Sequence, residues 1–431
     1  MFCIFAVFFK RLNIMDERLL REVLAQQQGE LKHMPLAKWT HREEENLLEL
    51  DSPLAQIVIG VRRSGKSTLC HLFLNKHHIH YAYINFDDER LKEFSSDDFD
   101  KMLVALQIIY GDYDYLFMDE PQNIDTWHLF VNRMLRLRKH IFLTGSNAKL
   151  LSGELATHLT GRYNQVVLYP LSFKEYLVLK DIPQEALLIR DKAALQVTLE
   201  EYLLRGALPE TLHLARWQNY LRTLHQSIIE RDIIQRFHVR FPALMRDLSA
   251  HLVANFCREC NYAQLAKQFG SSDQTIRTYV GYMTQAYLFI PLQKFSYKSR
   301  IRLRSSKLYL VDVGFASAMN DLIGDDTGWK LDNIVYLELL RRSYQEGYQI
   351  YFFRENYEID FVLCKGRKVI ELIQVCVDLR DAKTERRELQ ALVNGATQLQ
   401  CEQLTLITLS GSRAISHSGH TIHIVNAKEW L

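Results

Sequence analysis

Residues 60–67 read Gly-Val-Arg-Arg-Ser-Gly-Lys-Ser, between the apolar run Ile57-Val58-Ile59 and a helical pattern that opens at Thr68-Leu69-Cys70. A glycine-rich turn from a strand into a helix is built for phosphate. Its glycines let backbone N–H groups face inward, its lysine reaches the β- and γ-phosphates, and its last hydroxyl ligates Mg²⁺ at a helix N-terminus that already favours anions. Gly60, Val61, Arg62, Arg63, Ser64 and Gly65 would wall a nucleoside triphosphate site that Lys66, Ser67 and Thr68 complete. Further along, Tyr115-Leu116-Phe117-Met118 ends in Asp119-Glu120-Pro121. A buried strand delivering two adjacent carboxylates suits one to the metal and the next to an attacking water, so Asp119 is read as Mg²⁺ support and Glu120 as general base. The run Ile141–Thr144 ends in Gly145-Ser146-Asn147. Strand ends of a parallel sheet face the ligand crevice, which sets Ser146 or Asn147 to sense the γ-phosphate.

These groups need a scaffold, and the surrounding text supplies one. Apolar runs recur at Tyr81–Phe86, Tyr115–Met118, Ile141–Thr144 and Val166–Tyr169, separated by helical patterns at Phe99–Ile109 and Trp127–Arg138. Strands alternating with helices predict an α/β fold with a parallel sheet covered on both faces. At 431 residues, 48% hydrophobic and 24% charged, the chain is ordinary globular protein of two to three domains. No stretch approaches the roughly eighteen apolar residues of a membrane span. The apolar opening Met1–Phe9 is followed by Lys10 and Arg11 rather than preceded by them, the reverse of a secretory signal. Met15, followed by Asp-Glu-Arg-Leu-Leu, reads as a natural start and the first fourteen residues as an upstream extension. Seven cysteines scattered over the chain argue for a reducing compartment, so a cytoplasmic protein is expected. Cys257-Arg-Glu-Cys260 has no second pair and reads as one face of a helix rather than a metal site.

Six stretches carry a family resemblance: Ile59–Thr68, Asn85–Arg90, Phe117–Gln122, Leu143–Asn147, Leu159–Tyr163 and Leu168–Tyr176. Together they resemble prokaryotic AAA+ ATPases that carry a C-terminal domain of unknown function, and the likeness covers nearly the whole chain from Leu36. The resemblance implies an ATP-binding AAA+ core followed by a helical, DNA-binding-like module and a nuclease-like fold. It also implies that Arg162 touches a γ-phosphate, in its own subunit or in a neighbour's. The expected organisation is an N-terminal extension and helix (1–35), an AAA+ P-loop domain (36–185), a helical and winged-helix domain (186–310) and a restriction-endonuclease-like domain (311–431).

Charge is uneven along the chain. The net is +2, yet Arg205–Leu310 holds sixteen basic residues against six acidic ones, the footprint of a segment that meets nucleic acid or an acidic partner. Within it, Tyr262–Phe269, Gly270–Ser272 and Asp273–Met283 read as a helix-turn-helix, with Asp273 as N-cap and Gln274, Thr275, Arg277 and Thr278 on the exposed start of the second helix. Leu292–Leu308 alternates basic and apolar residues as a hairpin wing with a cationic solvent face would. Arg277, Lys298, Arg300, Arg302 and Arg304 are the expected DNA contacts.

From Leu308 the pattern changes to a helix at Asn333–Arg342 and strands at Gln349–Phe353, Glu358–Leu363 and Lys368–Val377. This resembles the PD-(D/E)xK nuclease fold, whose metal site takes a helix glutamate, a strand aspartate and an acid-x-lysine. Glu338 and Asp360 match the first two. Gln374-Val-Cys376 stands where the third belongs, with an amide for the acid and a thiol for the lysine. Such a site is poor in charge for Mg²⁺ and for making hydroxide, so a degenerate, non-cleaving site is expected. The whole reads as an ATPase switch or DNA-associated factor, able to form homo-oligomers or hold a protein partner. An ATP-regulated, metal-dependent nuclease and a non-hydrolysing signalling or scaffold protein are the alternatives.

Overall fold

The computed structural model describes residues 15–35, 39–145, 159, 161–185, 188–296, 306–319 and 326–431. The chain divides into two compact units, Met1–Gly60 with Gly65–Leu168, and Val61–Ser64 with Tyr169–Leu431.

The first unit is a five-stranded sheet of β1 (Ala55–Ile59), β2 (Tyr81–Asn85), β3 (Tyr115–Asp119), β4 (His140–Gly145) and β5 (Tyr163–Val167). Every pairing is parallel and the order is β2-β3-β4-β1-β5. Helices α2 (Lys66–Lys76), α3 (Phe99–Tyr110) and α4 (Trp127–Arg136) make the crossovers, and α1 (Glu17–Lys32) precedes them. Strands β1 and β3 are buried along their whole length, which is why, Gln56 and the terminal Asp119 apart, they are written as apolar runs rather than alternating ones. Phe117 and Phe142, both wholly buried, lie opposite each other in the β3–β4 register. That register also aligns Asn85, Asp119 and Thr144 in one row and sets Ile59 beside Gly145. The carboxyl ends of β1 and β3 therefore flank β4, and the loops after all three open at one edge of the sheet.

The second unit begins with the Pro170-Leu171-Ser172-Phe173 element. Ser172 Oγ accepts the Glu175 N–H at 3.2 Å, and the Glu175 carboxylate accepts the Ser172 N–H at 2.8 Å. This reciprocal capping box starts α5 (Phe173–Leu179) and accounts for a serine and a glutamate three residues apart. Next come α6 (Ile189–Arg205), α7 (Trp217–Ser227), a π-helix at Ile228–Gln235, α8 (Pro242–Ala254), α9 (Tyr262–Gln268) and α10 (Asp273–Gln285). Strands β6 (Phe289–Gln293) and β7 (Ser306–Leu310) then pair antiparallel. Gly206, at φ +75°, has no room for a side chain: an added Cβ would lie 1.7 Å from Asp312 Oδ1. Asp312 is buried there, accepting the Ala207 and Gly314 N–H groups at 2.7 Å each, and burial pushes its carboxyl up to about 6.

After α11 (Gly314–Met319) and α12 (Thr327–Glu346) comes a six-stranded mixed sheet. Its strands are β8 (Gln349–Arg354), β9 (Glu358–Lys365), β10 (Lys368–Cys376), β11 (Leu404–Thr408), β12 (Arg413–His417) and β13 (His420–Asn426), in the order β12-β13-β11-β10-β9-β8. Helix α13 (Ala382–Leu399) connects β10 to β11, the parallel pair at its centre.

Three local expectations need correction. The N-cap of α10 is Ser272, whose backbone is extended and whose Oγ accepts the Thr275 N–H at 3.0 Å; Asp273 is the first helical residue and pairs with Arg277 at 2.7 Å. Cys257 and Cys260 are buried in the turn beyond α8, not on a helix face. The wing alternation put Lys307 in solvent, but it is 4% exposed and points into a group of acids. Lys298, Arg300, Arg302 and Arg304 lie outside the described residues.

Candidate nucleotide site

Strand β1 hands the chain to Gly60 at φ +148°, and the loop then passes through left-handed backbone at Arg63 (φ +69°) and Gly65 (φ +94°) before α2 starts at Lys66. Gly65 has open space where a Cβ would be, so its requirement is the backbone conformation rather than room. Lys66 is buried, and Ser67 Oγ donates to Asp119 Oδ2 at 2.7 Å. Asp119 is 6% exposed at the end of β3 and also accepts from Thr144 Oγ1 and, at 3.4 Å, from Tyr83 Oη. Burial raises its carboxyl above the usual range, against the pull of Thr144, Ser67 and Lys66.

Glu120 differs from its neighbour in each of these respects. It is half-buried, sits at φ +52°, and donates its N–H to Thr144 O at 2.9 Å. Left-handed backbone at a non-glycine residue is uncommon and is held only where surroundings dictate it. Gln122 Nε2 donates to the Glu120 carboxylate. Adjacent acids thus sit in different surroundings: Asp119 is buried among hydroxyls beside Lys66, and Glu120 is half-buried. The pairing of a serine hydroxyl with a carboxylate is a hard-oxygen donor set of the kind Mg²⁺ takes, so these residues fit a magnesium nucleotide. Thr144, Tyr83 and Gln122 had no assigned role in the sequence; they reach the acids across strand register and a tight turn.

Asn147 and Ser146 lie outside the described residues. Arg162 is exposed, and its carbonyl accepts the Ala55 N–H at 3.0 Å at the start of β1. The phosphate loop leaves the other end of that strand. Five residues at about 3.3 Å each separate the two edges. Within the second unit, Arg62 pairs with Asp232 and Arg63 with Glu210.

The candidate nuclease-like residues each have partners among the described residues. Glu338 pairs with Arg342 at 2.9 Å and Arg341 at 3.5 Å rather than joining Asp360. Asp332, six positions earlier on the same helix, accepts the Tyr309 hydroxyl at 3.2 Å and interacts electrostatically with Asp360. Gln374 Oε1 accepts the Asp360 N–H at 3.3 Å, and its amide donates to Glu388 at 2.7 Å. A buried cation among these acids is Lys307, 2.7 Å from Glu358 and 3.6 Å from Asp360. Among the described residues, no group of three or more His, Cys, Asp or Glu is arranged to hold a metal ion.

Residues 52–177 match the model of an AAA domain, and residues 196–326 match a domain of unknown function (DUF8612). The uncharacterized protein MJ1544 of Methanocaldococcus jannaschii is 34% identical over 394 residues, 87% of each chain. An uncharacterized protein of Haemophilus influenzae is 29% identical over 345 residues, 76% of this chain and 84% of its own. Among solved structures, the Thermotoga maritima RuvB Holliday junction branch migration motor aligns at 16% identity and TM-score 0.28, over 63% of this chain and 93% of that one. S. cerevisiae Hsp104 in its casein complex aligns at 13% and 0.30, over 62% and 52%. These last two likenesses are too distant to carry function across.

Proposed function

The chain belongs to the family of the Methanocaldococcus jannaschii protein MJ1544 and carries an AAA domain, and on that premise we propose that it is a magnesium-dependent ATPase acting at Gly60–Ser67 and Asp119-Glu120. The observation that carries this reading is the 2.7 Å contact of Ser67 with Asp119 beside buried Lys66, with half-buried Glu120 next in the chain. Lys66 would hold the β- and γ-phosphates. Ser67 and Asp119 would hold Mg²⁺, which neutralises phosphate charge when bound. Glu120, oriented by Gln122, would take a proton from the attacking water.

Arg162 enters this proposal from a second copy of the chain, since its edge of the sheet is remote from its own phosphate loop. An arginine supplied across subunits stabilises charge on the transferring phosphoryl group. Phosphate release per chain should then rise with protein concentration, and Arg162→Ala should lower it by on the order of tenfold or more while removing that dependence. A rate per chain independent of concentration would count against the cross-subunit role.

The helix pair α9–α10 followed by the β6–β7 hairpin is the order of a winged helix, and Gln274 and Arg277 are exposed on α10. We read this segment as the contact with nucleic acid, with the basic run to Arg304 gripping phosphates. Changing Arg300, Arg302 and Arg304 to Ala should weaken binding to all DNA sequences alike. It should also make the slope of log affinity against log salt shallower by about 0.9 for each phosphate the protein no longer neutralises. An unchanged salt slope in a gel-shift titration would remove that segment from consideration.

A further inference from the structure

The phosphate loop carries two arginines, and their partners differ in kind. Arg63 pairs with Glu210 at 2.9 Å, both partly exposed, the sort of surface pair that contributes little. Arg62 is held far more firmly: its Nε donates to Asp232 Oδ2 at 3.1 Å and its Nη2 to Oδ1 at 3.0 Å, so both carboxylate oxygens are engaged. Two parallel hydrogen bonds fix the orientation of the guanidinium as well as its position. Asp232 is 5% exposed and lies in the π-helix Ile228–Gln235. A π-helix is rare and recurs at functional sites. A buried carboxylate is also costly without its cation. All these residues, Val61–Ser64 included, belong to the second unit.

Arginines inside a phosphate-binding turn pose a problem. A loose guanidinium at Arg62 would be drawn to a triphosphate and carry its own backbone with it, disturbing the N–H groups on either side. The next residue, Arg63, already sits at φ +69°, a conformation a long side chain keeps only when its surroundings enforce it. We propose that Asp232 is a positioning residue for nucleotide binding: by clamping Arg62 it holds the turn Val61–Ser64 in the shape whose backbone receives phosphate. The proposal rests on the assignment of Gly60–Ser67 as the ATP site.

The test is isothermal titration of the full chain with MgATP, alongside kcat, KM and thermal unfolding. Asp232→Asn should weaken ATP binding by on the order of tenfold to a hundredfold, the effect of a misplaced binding group, and should raise KM more than it lowers kcat. Asp232→Glu keeps the carboxylate and should recover most of that affinity. The double change Arg62→Met with Asp232→Leu removes both charges together, which spares stability because no buried charge is left alone. It should keep the wild-type melting temperature and still bind ATP weakly. Wild-type affinity in that stable double variant would mean the pair serves folding alone and would overturn the proposal. Wild-type protein that binds no MgATP would overturn the ATP-site assignment, and the role of Asp232 with it.

Discussion

Glu120→Gln should leave ATP binding at wild-type strength while cutting phosphate release by on the order of 10²–10⁴, the contribution of a positioned general base. The amide keeps the size and the hydrogen-bonding shape of the carboxylate but cannot accept a proton from water. Glu120 is half-buried, its backbone N–H held by Thr144 and its carboxylate by Gln122. Lys66→Ala should behave in the opposite sense. In the proposed site the buried ammonium beside Asp119 meets the phosphates, and a hydrogen bond to a charged group is worth about 1.5–3 kcal/mol, so affinity should fall by on the order of tenfold to a hundredfold. Titration of both variants with MgATP, followed by single-turnover phosphate release, separates the two effects. Equal loss of binding in both would show that the acid and the lysine do not divide the work in this way.

Lys307→Met should destabilise the second unit by about 3–5 kcal/mol, the cost of stripping the cation from a buried ionic group. Methionine has nearly the same length and reach, so packing is largely kept and the charge alone is removed. Lys307 is buried against Glu358 and Asp360, with Asp332 within electrostatic reach, and the Phe352 ring lies under its ammonium at 5.4 Å. Burial raises the carboxyls of Asp332 and Asp360 above the usual range even with Lys307 present. An acid whose folded pKa is raised contributes stability that is complete below its unfolded value, about 4, and is lost as pH climbs through the folded value. Without the ammonium both acids rise further. Urea unfolding of Lys307→Met should therefore show a stability that falls with pH above 4 more steeply than in wild type. Equal stability at pH 5 and pH 8 in the variant would mean that Lys307 does not neutralise these acids.

The parts of the site that are contiguous in the chain were legible because their demands are local. A turn that needs left-handed backbone at Gly65, a lysine and a hydroxyl at a helix start, and two acids closing an apolar strand are each written in a few adjacent residues. The parallel sheet was legible for a similar reason, since strands covered on both faces have no polar side to show. What failed depended on which face meets which. Glu338 and Asp332 share one helix, and six residues at 3.6 per turn put them on different sides; only the packed helix shows that Asp332 is the one within electrostatic reach of Asp360 and Lys307. Alternation along the wing gave Lys307 a face but not the identity of that face, and the acids that bury it come from α12 and β9. Thr144 and Tyr83 join Asp119 through strand register, which a single strand does not encode. The π-helix that carries Asp232 has no pattern that separates it from an ordinary helical turn, so the clamp on Arg62 could not be foreseen.

Phosphate release from ATP by the purified wild-type chain tests the central claim most directly, measured with Mg²⁺ and again with the metal chelated. The site built from Lys66, Ser67, Asp119 and Glu120 predicts saturable release of many phosphates per chain with Mg²⁺ and none without it. Stoichiometric ATP binding with no phosphate released in Mg²⁺ would contradict it, and would make the chain a nucleotide-binding switch rather than an ATPase.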